Sequence, residues 1–110
     1  MKQTSSLTRN LAAAQERHAA SLQNNTAIVW RLYTEHRGNL TMLVSRYFSG
    51  ATLIAAQGLW QGLVELSTVI EIVGTGADLQ NIVFLVGDIK VVNNQSSVLV
   101  TYAPVSRLEI

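Results

Sequence analysis

The chain has no cysteine, a single proline and few charges: Asp, Glu, Lys and Arg make up 14% of its 110 residues. Without cysteine, disulfides, thiol nucleophiles and thiolate metal sites are excluded. Charge this sparse, against roughly a quarter in an ordinary soluble domain, implies that part of the surface is covered, most simply by a second copy of the chain. The net charge is +1 and the basic residues are scattered, which leaves no electrostatic footprint for nucleic acid or for an anionic membrane.

The motifs of several chemistries are missing as well. No Gly-x-Ser-x-Gly elbow is present. Gly74-Thr75-Gly76 runs on into Ala77-Asp78 and lacks the third glycine and the lysine of a phosphate-cradling loop. His18 and His36 are far apart, with no carboxylate at ligand spacing on a shared helix face, so no zinc site is expected. No run approaches the roughly eighteen uninterrupted apolar residues of a membrane span. Neither a metal nor a cofactor is expected.

Apolar residues make up 48% of the chain, enough at this length for one domain with a real core. The organising stretch is Ala51 to Val73, two apolar runs hinged at Gly58 to Gly62. In the second run Val64, Leu66, Thr68, Ile70 and Ile72 alternate with Glu65, Ser67, Val69, Glu71 and Val73, a strand with one apolar face. Thr52 to Leu59 reads as its partner, making a long β-hairpin. Gly58 and Gly62 bracket Leu59-Trp60-Gln61, which fits a short loop with a bulge or a wider flap. Trp60 at that tip either folds back to cap the core or contacts a partner or ligand.

Around the hairpin the other elements fall in order. Met1 to Ser6 is polar and Ala12 to Ala20 is broken by Gln15, Glu16, Arg17 and His18, so a secretory signal is not expected and a cytoplasmic location is. Residues 5 to 24 read as a helix, with Leu7, Leu11, Ala14, His18 and Leu22 on one narrow stripe that needs a surface to lie on. His18 reads there as a boundary histidine. Gln23 to Thr26 is a linker, dividing the chain into an N-terminal helix and linker, 1–25, and a compact domain, 26–110.

Within that domain Ile28, Trp30 and Leu32 alternate with Val29, Arg31, Tyr33 and Glu35, giving a first strand. Asn39 is a credible N-cap for a short helix bearing Leu40, Leu43, Val44 and Tyr47. After the hairpin, Thr75 and Asp78 fit a capping box opening a second helix whose inner face is Leu79, Ile82, Val83, Val86 and Ile89. Val98 to Tyr102 is a closing strand suited to a central or well-covered position, and Pro104 ends it. The order β-α-β-β-α-β predicts an α+β, ferredoxin-like antiparallel sheet with both helices on one face, preceded by the N-terminal helix.

Short motifs add a resemblance. Arg46-Tyr47-Phe48-Ser49-Gly50-Ala51-Thr52, Gly58-Leu59-Trp60-Gln61-Gly62 and Gln95-Ser96-Ser97-Val98-Leu99 are similar to a small bacterial family of ferredoxin-like proteins of unknown function, patterned R-x-x-x-G-x-T, G-x-W-x-G and Q-x-S-V-L. The similarity covers roughly residues 27 to 102. It implies the same fold and supplies no catalytic residues.

In such a fold the helices leave one sheet face open, and the side chains alternating with the core point there: Arg31, Tyr33 and Glu35 from the first strand, Glu65, Ser67 and Glu71 from the third. One reading is cross-strand charge pairing, Arg31 with Glu71 or Glu65, on a face covered by a dimer partner or by the N-terminal helix. The other is a ligand pocket in which Arg31 binds an anion and Glu65 or Glu71 acts as a base. His36 and Arg37 in the following turn, joined by Arg46, form a weaker anion-site candidate. Two functions follow. The chain is a small homo-oligomeric interaction or ligand-binding module, with a dimer favoured, or a small cofactor-free enzyme of the dimeric α+β barrel kind, isomerase or monooxygenase-like. A sealed interface over the sheet argues for the first, and a lined cavity with Glu65 or Glu71 facing Tyr33 argues for the second.

Overall fold

A computed structural model describes residues 26–110, and the expected helix over 5–24 lies outside them. The order is β1 (Ala27–Glu35), α1 (Leu40–Ser45), β2 (Thr52–Trp60), β3 (Leu63–Thr75), a 3-10 turn (Gly76–Asp78), α2 (Leu79–Val92) and β4 (Leu99–Pro104). All neighbouring strands are antiparallel and the sheet order is β2-β3-β1-β4. This is an α+β, broadly ferredoxin-like arrangement with β1 and β3 in the centre. Among the described residues no helix is long and apolar enough to cross a membrane.

The period-2 pattern of β1 builds the core. Ile28, Trp30 and Leu32 bury with Ile70 and Ile72 of β3 against Leu40, Leu43 and Val44 of α1 and Ile82, Leu85 and Ile89 of α2. Both helices therefore lie on one face. The Trp30 indole is buried, donates Nε1–H to the Thr75 carbonyl at 3.2 Å and stacks obliquely on Tyr102, ring centres 5.2 Å apart. On α2 the buried stripe is turned from the expected one. Leu85 is fully buried and Val83 is half exposed, because Ile82, Leu85 and Ile89 lie at helical spacings that share one side.

The helix ends are tied down differently from each other. The expected capping box forms: the Asp78 carboxylate accepts from Thr75 N–H at 2.8 Å, and Thr75 Oγ1 accepts from Ala77 N–H at 3.2 Å. Gly74 is required beside it, since a Cβ there would overlap the Asp78 carboxylate. Asn39 occupies the N-cap position of α1 but makes no side-chain cap. Its Nδ2–H donates instead to Asn93 Oδ1 at 2.7 Å, joining the start of α1 to the end of α2.

The hairpin is tighter and longer than its glycines suggest. Trp60 pairs with Leu63, and the loop between them is only Gln61-Gly62. Both have positive φ, +50° and +78°, the type I′ geometry that matches strand twist. Glycine tolerates this and Gln61 is held in it by the ladder on either side. There is neither a bulge loop nor a flap.

Two expectations about cover are corrected. Leu66 and Val64 stand on the helix-side face of β3, yet both are strongly exposed, because the hairpin runs on past the part of the sheet the helices cover. β4, expected to be central or well covered, is an edge strand paired to β1 alone, with Leu99 exposed. After Pro104 no further strand forms, although Val105 N–H still donates to the Ala27 carbonyl at 3.0 Å.

Candidate functional site

Side chains opposite one another in an antiparallel ladder share a face, so the pairing registers lay out the open face in rows across the strands. One row is Thr52, Glu71, Arg31, Thr101 in the order β2, β3, β1, β4. The next row toward the hairpin tip is Ile54, Val69, Tyr33, Leu99. Ile54, Tyr33 and Leu99 are each exposed by more than a third, so the second row is an apolar band across all four strands.

Arg31 and Glu71 are direct partners in register, and Arg31 Nε donates to Glu71 Oε2 at 2.9 Å. The structure thus selects Glu71 over Glu65 as the cross-strand acid. Glu65 pairs with Gly58 on the hairpin, beyond the Glu35–Ser67 pair where β1 ends. It stands six positions from Glu71 along the extended strand, roughly 20 Å. Arg31, Tyr33 and Glu71 are brought together, and Glu65 is not. Tyr33 faces Val69 and Leu99, with no carboxylate opposite it.

Trp60 does not fold back onto the core. It stands at the tip with Leu59, Leu63, Val64 and Leu66, and these five side chains are between 64% and 73% exposed. Trp60 and Leu63 share the open-face side, while Leu59, Val64 and Leu66 share the other. The tip is therefore apolar on both faces.

The second candidate, His36 with Arg37 and Arg46, is dispersed. Arg37 is bonded to Glu35 at 2.5 Å and to the His36 carbonyl at 2.8 Å. His36 Nδ1 lies 3.2 Å from the Thr68 hydroxyl. Arg46 is held by Asp88 of α2 at 3.0 Å, and Tyr47 donates its hydroxyl proton to the same carboxylate oxygen at 2.6 Å. The Tyr47 hydrogen bond, then the Arg46 contact, hold Asp88 below the usual carboxylate range. In return that hydrogen bond, helped by partial desolvation, raises Tyr47 above the ordinary phenol value. This cluster clamps α1 to α2 and leaves Arg46 unavailable to an anion at His36.

One cleft, about 430 Å³, lies between the α1–β2 loop and the end of β3, lined among others by Ser49, Thr52, Glu71 and Asp78. Neither Tyr33 nor Glu65 lines it. Glu71 is engaged by Arg31 and Asp78 by the Thr75 amide, so both carboxylates are spent on structural partners. Among the described residues no three His, Asp or Glu side chains gather as metal ligands.

The residues that sequence reasoning passed over are the apolar ones. Ile54, Leu63 and Leu99 carry no chemistry that singles them out, and only the registers reveal that Ile54 and Leu99 join Tyr33 in one band. No family model matches the chain, and no curated protein or solved structure matches it.

Proposed function

We propose that the protein is a small self-associating interaction module of the cytoplasm, whose open sheet face packs on the same face of a second copy. We further place it with the small bacterial ferredoxin-like family that its motifs resemble. The observation that carries the reading is the band Ile54, Val69, Tyr33, Leu99 beside a row whose charges are one Arg and one Glu in contact. An apolar band of this kind, flanked by polar groups, is the composition of an interface core and its rim. The charged row is also self-complementary. A two-fold axis running along the β1/β3 boundary sets Arg31 over the partner's Glu71, and Glu71 over the partner's Arg31, an isologous contact. The same operation sets Tyr33 over the partner's Val69.

The test is the solution mass of the full chain with and without Leu99→Asp, which plants a charge in the band without touching the core. A dimer or larger species that Leu99→Asp dissociates supports the reading; a monomer in both overturns it.

A further inference from the structure

The face-to-face contact leaves one feature unused. β2 is an edge strand of nine residues, Thr-Leu-Ile-Ala-Ala-Gln-Gly-Leu-Trp, with no charge and no proline. Natural edges are ordinarily blunted by lysine, proline, bulges or shortness, because a long bare edge recruits another strand. The opposite edge shows this protection: β4 is six residues long and ends at Pro104. β2 has none of it, and the tip it leads to is apolar on both faces, which a partner stacked on one sheet face covers only by half.

The hairpin geometry fixes which groups are free. The residues flanking a two-residue type I′ loop exchange hydrogen bonds with each other, so Trp60 points its backbone groups at Leu63 of β3. By alternation the even positions of β2 face β3, and Leu53, Ala55, Gln57 and Leu59 present their N–H and C=O groups outward. An outward row of this kind offers a template for a further strand, and a strand lying beside this hairpin meets apolar side chains on both faces. Within the sheet β2 itself is such a strand: Leu53 and Leu59 lie on one face, Ile54 and Trp60 on the other.

We infer that β2 is a second, edge-to-edge interface, at which the β2 strands of two copies pair antiparallel about a two-fold axis and join two sheets into one. Full overlap of the nine residues places the axis at Ala56 and sets Leu53 opposite the partner's Leu59. Ala56 and Gly58, small on the open face, let the two strands approach without crowding. The absence of charge along β2 means that like charges do not meet at the axis. This inference rests on the self-association proposed above but uses a different surface: the stacking axis runs along the strands at the β1/β3 boundary and the edge axis crosses the sheet plane outside β2, so the two do not meet and together build an open, growing assembly where the single interface gives a closed dimer.

The experiment uses the full chain and three variants. Gln57→Pro removes an outward-facing N–H and leaves the β2–β3 ladder intact, since proline is tolerated on an edge whose N–H faces solvent. Gln57→Lys keeps the backbone and brings two like charges together near the axis. Leu99→Asp disrupts the stacked face alone. Mass is read by sedimentation velocity across a hundredfold range of concentration, with the thermal melt as the check on folding. Exchange of the Leu53, Ala55, Gln57 and Leu59 amides is followed by NMR over the same range.

The expected result is that the native chain grows beyond a dimer as concentration rises, that Gln57→Pro and Gln57→Lys each stop it at a dimer, that Leu99→Asp independently does the same, and that these amides gain at least tenfold protection as concentration rises. Loss of mass in Leu99→Asp with none in the Gln57 variants overturns the edge interface and leaves the stacked face standing. Protection of the amides that does not change with concentration also overturns it, since the edge is then covered within one chain. A monomer throughout overturns both.

Discussion

Arg31 and Glu71 face each other on the two central strands, Nε to Oε2 at 2.9 Å, with Thr101 beyond the arginine and Thr52 beyond the glutamate in the same row. Both side chains remain substantially exposed, so within one chain the pair is worth no more than about 1 kcal/mol. At a stacked interface the same two groups lose water and find a second partner, where reversing one charge costs far more.

Arg31→Glu is therefore expected to change urea stability by no more than about 1 kcal/mol while weakening self-association at least tenfold. Glu71→Arg behaves in the same way, and the double exchange restores assembly. Sedimentation equilibrium paired with urea titration separates the two effects. Equal loss of stability and association in the single variants would contradict the assignment.

The two tryptophans have opposite surroundings and are expected to respond in opposite ways. Trp30→Ala empties the core and costs about 3–5 kcal/mol. Trp60→Ser, at a side chain 65% exposed, changes stability by about 0.5 kcal/mol or less. The emission of Trp60 is expected to shift to the blue as the protein is concentrated, and that shift to disappear in Trp60→Phe. An emission maximum independent of concentration in the native protein would mean that the tip stays in water.

The clamp of Tyr47 and Arg46 on Asp88 contributes a pH dependence of its own. Asp88 is held below its ordinary value, so its stabilising contribution is complete above that ordinary value, near pH 4, and fades as pH falls through the lowered folded value. Tyr47 is raised, so its contribution is complete below the ordinary phenol value, near pH 10, and is lost as pH climbs through the raised one. In Tyr47→Phe the stability deficit relative to the native chain is constant between about pH 6 and 8 and shrinks at both extremes. Urea titrations from pH 2 to 11 read it; a deficit unchanged at low pH would show that the carboxylate is not held by this hydrogen bond.

Gly74 and the capping box share one volume, because the Asp78 carboxylate that caps Thr75 occupies the space a Cβ would need. Gly74→Ala is expected to cost at least as much as Asp78→Ala, about 1 kcal/mol, and the double variant little more than either alone. Additive losses in a double-mutant cycle would mean that the two residues act separately.

How much of this was legible depends on whether a property is local or set by distant pairing. The core face of β1 is written in the alternation of Ile28, Trp30 and Leu32, and the capping box in the spacing of Thr75 and Asp78. The same alternation assigns Val64 and Leu66 to a face, but a strand cannot record whether a helix covers that face, and α1 is only six residues long. The adjacency of β1 and β3 brings Arg31 toward the acids of β3, yet the choice between Glu65 and Glu71 needs the register, which long-range pairing fixes. The Asp88 clamp joins residues 41 and 42 positions apart and leaves no trace in local sequence. The band of Ile54, Tyr33 and Leu99 was illegible for the same reason: its members sit on three strands.

The most direct test of the central claim is the molar mass of the full chain in solution, followed by light scattering from low micromolar to near millimolar concentration, native and with Leu99→Asp. Self-association through the open face predicts at least twice the monomer mass of 12.0 kDa in the native chain and a lower mass at every concentration in the variant. A constant 12.0 kDa for the native chain across the whole range would contradict it.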